Sequence, residues 1–132
     1  MKELKLYIQI NKSSREVFDF TTNPRNTPKW IESIVKEETS QEEVSVGTVY
    51  KNYDKEGSVN EYIVSIFEPN SCFQLNAVHQ DYKVKYSYRE ITPTYTELEY
   101  HEWSESGQLH TPFMQEIMDN LKVVMEREGI AE

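Results

Sequence analysis

Hydrophobic and polar residues alternate from the start of the chain. Leu4, Leu6, Ile8 and Ile10 are interleaved with Lys5, Tyr7 and Gln9, the period of two that marks a half-buried strand. Ser13-Ser14-Arg15-Glu16 then has the spacing of a capping box, in which a serine hydroxyl meets the first free N–H groups while Glu16 reaches back. Val17, Phe18 and Phe20 supply the apolar side of the short helix that follows. Asn23-Pro24 and Thr27-Pro28 each set a capping side chain before a proline, the residue tolerated at a first helical position. Residues 24–32 are therefore expected to form one or two short turns that deliver Trp30 and Ile31 to the interior.

From 34 to 104 the pattern is one of strands and turns. Ile34–Glu38 reads as a short strand that ends in the acidic, flexible stretch Glu37–Glu43. Gly47 precedes a strand at Thr48–Lys55, and Glu56-Gly57 turns it into Val59–Phe67. Pro69-Asn70 marks the next turn, followed by Cys72–Val78 and the polar connection His79-Gln80-Asp81. Tyr82, Val84, Tyr86 and Tyr88 alternate with Lys83, Lys85, Ser87 and Arg89, the clearest period-two segment in the chain. Thr92-Pro93-Thr94 leads into a last strand, Tyr95–Trp103. Six successive strands with short connections predict an antiparallel meander.

The pattern then changes period. Thr111-Pro112 has the form of a cap and an N1 proline, and Gly129 stands where a helix C-terminus favours glycine. Between them Phe113, Met114, Ile117, Met118, Leu121, Val124 and Met125 fall within an arc of roughly 140°. A helix of about 17 residues is about 25 Å long, enough to cross such a sheet. The elements together predict one α+β domain over residues 1–132.

Composition narrows the function classes. The formal net charge is −9, which repels phosphate backbones and anionic lipid surfaces and argues against nucleic-acid or peripheral membrane roles. No apolar run reaches transmembrane length, and no signal-peptide pattern follows the start. Cys72 is the only cysteine, in agreement with a reducing, cytoplasmic compartment. Nine tyrosines imply an interior of large rings whose hydroxyls need partners.

The order of strand, two short helices, six-stranded meander and long helix resembles the helix-grip family of START-like or SRPBCC proteins, which includes polyketide cyclases and pollen-allergen-like lipid carriers. The residues carrying the resemblance are Ile8-Gln9-Ile10 before Ser13–Phe20, Asn23-Pro24 with Trp30, Val46-Gly47-Thr48, Phe67-Glu68-Pro69, Tyr86-Ser87-Tyr88, Thr96-Glu97-Leu98 and Leu121-Lys122. The resemblance implies a seven-stranded sheet curled around the terminal helix, with a cavity between them for a lipid, sterol, polyketide or other hydrophobic molecule. It implies no common catalytic set, and fold alone does not assign function.

The expected ligand-binding set is Trp30, Tyr50, Tyr62, Phe73, Leu75, Tyr86, Tyr88, Leu98, Tyr100, Phe113, Ile117 and Leu121. Strands 48–55 and 72–78 leave the inward direction of Tyr50, Phe73 and Leu75 open. Tyrosine hydroxyls on faces with Val84, with Val64 and Ile66, and with Leu98 would stand as placed donors among apolar walls; the plain alternative is that they satisfy one another or reach solvent at the sheet rim. Met114, Met118 and Met125 suit either an adaptable wall or simple core filling, and Trp30 either a lid or a packing anchor. Glu97, Glu99 and His101 share one strand face and have the chemistry for a metal or for acid/base work. The opposite face, with Thr96, Leu98 and Tyr100, is the better core face, which puts the charged trio on the convex surface. His79 and His110 add no ligand spacing, Cys72 has no neighbouring base in sequence, and the four glycines form no phosphate cradle. No catalytic residue, metal or cofactor is therefore assigned.

The leading expectation is a binding protein for a small hydrophobic or aromatic molecule. A cyclase- or dehydrase-like enzyme is the alternative, to be favoured by Glu61, Glu102 or a histidine buried in the cavity with a shifted pKa. A second alternative is a protein-interaction module, since some relatives act on a chaperone ATPase; Glu37–Glu43, Tyr95 and Trp103 would then meet the partner. The sequence leaves homodimerisation through an apolar patch open.

Overall fold

The computed structural model of the chain describes residues 1–109 and 113–131, with side chains described to residue 127. The expected cap at Thr111-Pro112 and His110 lie outside the described residues. Strand β1 (Lys2–Ile10) is followed by helices α1 (Ser14–Thr22) and α2 (Thr27–Trp30), strands β2 (Ile34–Thr39), β3 (Val49–Asp54), β4 (Val59–Glu68), β5 (Cys72–Ala77), β6 (Lys83–Thr92) and β7 (Tyr95–Ser104), and helix α3 (Gln115–Ala131). The strands form one antiparallel seven-stranded sheet in the order β1-β7-β6-β5-β4-β3-β2. This is the meander expected, with the first strand closing beside the last. The α+β helix-grip architecture holds, and no described helix is long and apolar enough to cross a membrane.

Local chemistry explains the elements. Ser13 Oγ accepts from Glu16 N at 3.1 Å while Glu16 Oε1 accepts from Ser13 N at 3.1 Å, so the capping box closes and starts α1. Gly57 takes φ 86° in the β3–β4 turn and Asn70 takes φ 66° in the β4–β5 turn, a region where glycine and asparagine pay least. Thr27 departs from its expected role. It lies in the first turn of α2, whose N-cap position Asn26 makes no side-chain cap, and its hydroxyl goes to Glu37 instead. Helix α3 continues through Gly129 to Ala131.

Two bulges redirect side chains. The β4–β5 register shifts between Val64 and Ile66, so Phe67, not Ile66, joins the core with Phe18 and Phe73. The β2–β3 register shifts between Ile34 and Lys36. Val35 is consequently 56% exposed, while Ile34 and Glu37 both face inward onto one cavity. A bulge inserts one residue and reverses the alternation beyond it.

Helix α1 lies over β6 and β7, α3 over β1, and α2 over β2 and α3. Polar side chains fasten α3 at several points: Lys122 Nζ donates to Gln9 O at 2.6 Å, Gln115 Nε2 to Tyr7 O at 3.0 Å, and Asn120 Nδ2 to Trp30 O at 3.0 Å. Its apolar face contributes Met118, Leu121, Val124 and Met125 to the core, whereas Met114 precedes the helix and is 56% exposed. On the convex side Glu97 accepts from Gln9 and Arg89, Glu99 from Tyr7, and His101 pairs with Glu3. The trio thus points outward, each member engaged with a neighbour.

Candidate functional site

The inner face of the sheet is covered unevenly. Beneath α1, Phe18 packs edge-on against Phe67 and Tyr88, and Leu98 is fully buried. Beneath α2 the walls stand apart and enclose a cavity of about 770 Å³, within the size range of small-molecule sites. The exposed residues Glu56, Ser58, Gln80, Asp81 and Ser106 line its mouth, on the β3–β4 turn, the β5–β6 turn and the segment after β7.

Its inner wall is aromatic. Phe113 stacks on Tyr100 with ring centroids 4.2 Å apart and meets Trp30 edge-on at 6.0 Å. Tyr86 touches Trp30, Phe73 and Tyr100, and Tyr50 meets Phe73 at 5.5 Å. Edge-to-face pairs of this kind hold rings in fixed directions. The Trp30 indole N–H is buried with no hydrogen-bond partner among the described residues.

The tyrosine hydroxyls divide into two groups. Tyr50 donates to Thr22 O at 2.5 Å, and Tyr88 bonds the Thr21 hydroxyl at 2.7 Å. Tyr82 and Tyr100 donate to Glu102 Oε1 at 2.9 and 2.7 Å, and the Phe113 backbone N–H approaches the same carboxylate at 3.3 Å. Glu102 is fully buried and ties the segment before α3 to the end of β7. Tyr62 and Tyr86 have no hydrogen-bond partner among the described residues. Their oxygens are not among the sealed, unsatisfied atoms. Both residues line the cavity, so the hydroxyls open into it.

Glu37 is the acid inside the cavity. It stands on β2 opposite Asn52 of β3, which stands opposite Asn60 of β4, giving a polar row across the sheet; all three line the cavity. Thr27 Oγ1 donates to Glu37 Oε1 at 2.5 Å. Glu37 is half-buried as a residue, with its carboxyl enclosed by protein. Burial pushes it up to about 7, opposed by hydrogen bonding from Thr27 and Asn52. Burial, with the Glu37 charge in second place, raises the hydroxyls of Tyr50 and Tyr62. For Tyr86, burial comes first, then Tyr88, then Glu37.

Of the expected set, Trp30, Tyr50, Tyr62, Phe73, Leu75, Tyr86, Tyr100 and Phe113 line this cavity. Tyr88 and Leu98 face inward but lie in the filled region beneath α1. Leu121 is fully buried core and Ile117 packs beside it. No described residue of α3 lines the cavity; its roof is α2 and Phe113, because α3 sits over β1 and delivers its apolar face to the filled core. Glu37 was not expected in the cavity: it lies on the strand expected at Ile34–Glu38 and lines the interior, while the acidic stretch expected to begin with it begins after β2. Tyr82 also lines the cavity; its alternation with Val84 and Tyr86 was the available signal. Glu61 is at the surface beside His79 at 3.2 Å. Cys72 is buried at the start of β5, where burial raises its thiol.

No protein-family model matches the chain, and no curated protein matches it. Solved structures do. The protein XoxI from Bacillus cereus superposes with a TM-score of 0.76 at 11% identity, covering 98% of this chain and 99% of that one. The di-domain ARO/CYC StfQ from the steffimycin biosynthetic pathway gives 0.75 at 13% identity, over 96% of this chain and 46% of StfQ. The Aha1 dimer from Colwellia psychrerythraea gives 0.63 at 15% identity, over 98% and 93%. At these identities the likeness is one of fold.

Proposed function

We propose that this chain binds a small, largely apolar or aromatic molecule in the cavity beneath α2, as a START-like, SRPBCC-type binding protein. One observation carries the reading: about 770 Å³ of space lined by Trp30, Phe73 and Tyr86, onto which the Tyr62 and Tyr86 hydroxyls open without a partner among the described residues. Apolar walls with a few convergent polar groups are what ligand sites share. Solid packing there would have favoured a role at the protein surface instead. The likeness to StfQ, an ARO/CYC protein, is compatible with the reading and adds no ligand.

The test is gentle mass spectrometry of freshly purified protein. A co-purified adduct of a few hundred daltons, lost on denaturation, supports the reading. A second reading, proton transfer on a bound substrate, has Glu37 in its favour, because a carboxyl pushed up to about 7 is poised to exchange a proton near neutrality. It predicts that Glu37→Gln abolishes turnover of a bound substrate while leaving its binding intact.

A further inference from the structure

The cavity has a charge character that its apolar walls conceal. Among the described residues lining it are the acids Glu37, Asp54, Glu56 and Asp81, and none is lysine, arginine or histidine. Asp54 and Asp81 accept hydrogen bonds from turn backbones, and Asp81 stands at the mouth. Glu37, deeper in, has hydroxyl and amide partners and no cation among the groups acting on it. The chain as a whole carries a net charge of −9, which steers cations toward such an opening.

A buried carboxylate without a counter-charge is costly, and a ligand bearing the counter-charge would remove that cost. Independently, the Tyr86 hydroxyl has no partner among the described residues, on a residue only 7% exposed, and it opens onto the same space. An ammonium group has three N–H donors, and Glu37, Tyr62 and Tyr86 each offer an oxygen acceptor. Trp30, Phe73 and Tyr86 line the same space, and aromatic rings attract a cation held near them.

We propose that the cavity selects an organic cation: a primary or secondary ammonium on an aromatic or apolar frame, its charge at Glu37 and its frame against Trp30, Phe73 and Tyr86. The inference rests on the cavity-binding reading and names the chemical class of its ligand.

The probes are a matched pair, 2-naphthylmethylamine, protonated at about pH 8, and neutral 2-naphthylmethanol, titrated calorimetrically into the full chain. The amine is expected to bind at least about tenfold more tightly than the alcohol, as a charge-assisted contact requires. Glu37→Gln should bring the amine to the alcohol's affinity and leave the alcohol within about twofold, with folding checked by thermal melting. In the native protein the amine's advantage should shrink about tenfold from about pH 8 to about pH 5.5 as Glu37 takes up a proton. The titratable groups facing Glu37 are Tyr50 on β3, Tyr62 on β4 and Tyr86 on β6, all raised above their ordinary value, so none changes charge over that range. Asp54 lies further along β3, and from α2 the Thr27 hydroxyl donates to Glu37.

Equal affinities for the two probes overturn the cation assignment and leave the cavity reading standing. An advantage that persists in Glu37→Gln, or is indifferent to pH, overturns the assignment to Glu37. Failure of both probes to bind overturns the cavity reading and this inference with it.

Discussion

Tyr86 and Tyr88 stand two residues apart on one face of one strand, and their surroundings are opposite. Tyr88 lies beneath α1, against Phe18, with its hydroxyl bonded to Thr21 at 2.7 Å. Tyr86 lies beneath α2, against Trp30 and Phe73, and its hydroxyl opens onto space without a partner among the described residues. One end of the interior satisfies itself. The other leaves polar capacity and volume unspent, and the difference comes from which helix covers the sheet: a capped nine-residue helix at one end and a four-residue turn at the other. Stability should therefore reside at the α1 end and binding at the α2 end.

The largest effect that could break this division is at Phe18. Phe18→Ala should cost about 4 kcal/mol, the range for an aromatic lost from a filled core, while a probe bound beneath α2 keeps its affinity in the fraction that remains folded. Denaturant titration beside probe binding reads both. A loss of affinity matching the loss of stability would mean that the two ends are one unit.

Next is Glu102, which holds Tyr82, Tyr100 and the approach to α3 together. Glu102→Ala should cost about 3 kcal/mol, because two buried hydroxyls lose their acceptor, and it should loosen the cavity roof at Phe113. Chemical denaturation reads the cost, and faster hydrogen exchange at the Phe113 amide reads the loosening.

Glu37 should behave in the opposite sense. Its folded-state pKa is raised from the ordinary 4.5 to about 7, so between those values the folded chain holds a proton that the unfolded chain releases. The stabilising contribution is fully present below about pH 4.5 and is lost as pH rises through about 7. By pH 8 the native protein carries a penalty of about 3 kcal/mol. Glu37→Gln should remove that penalty, stabilising the protein by up to about 3 kcal/mol at pH 8 and by little at pH 4.5. Urea melts across this range check the slope. A group kept at a cost to stability is what a binding site requires and a core does not.

The smallest effects sharpen the comparison most finely. Tyr88→Phe should cost about 1 kcal/mol, the worth of one buried hydrogen bond. Tyr86→Phe should change stability by less than about 0.5 kcal/mol, since no partner among the described residues is lost. Equal costs for the two would place a hidden partner on Tyr86.

Much of the framework was legible in the chain. Alternation along Tyr82–Tyr88 and Thr96–Tyr100 set the inward faces of β6 and β7, and the serine–glutamate pair at 13 and 16 set the start of α1. The same phase carries Glu102 inward with Leu98 and Tyr100, although a charged residue there invites the outward reading. The bulges were not legible. Ile34 and Glu37 face the same cavity at a spacing of three, as Val64 and Phe67 face the same core, and a strict period of two cannot produce that spacing. Glu37 also sits in a run of charges, Lys36-Glu37-Glu38, that reads as solvated surface. Nor did periodicity separate the part of the interior that α3 fills from the part that α2 leaves open, because Ile117 and Leu121 carry the same apolar signal as Phe113.

The most direct test fills the open end. Leu75, half-buried on the cavity wall, is replaced by tryptophan, and a neutral naphthalene probe such as N-phenyl-1-naphthylamine is titrated by fluorescence into both proteins. The account predicts saturable binding to the native chain, loss of at least about tenfold in affinity for Leu75→Trp, and stability held within about 1 kcal/mol because the new ring enters vacant space. Undiminished binding to the filled variant, or no binding to the native chain, would contradict it.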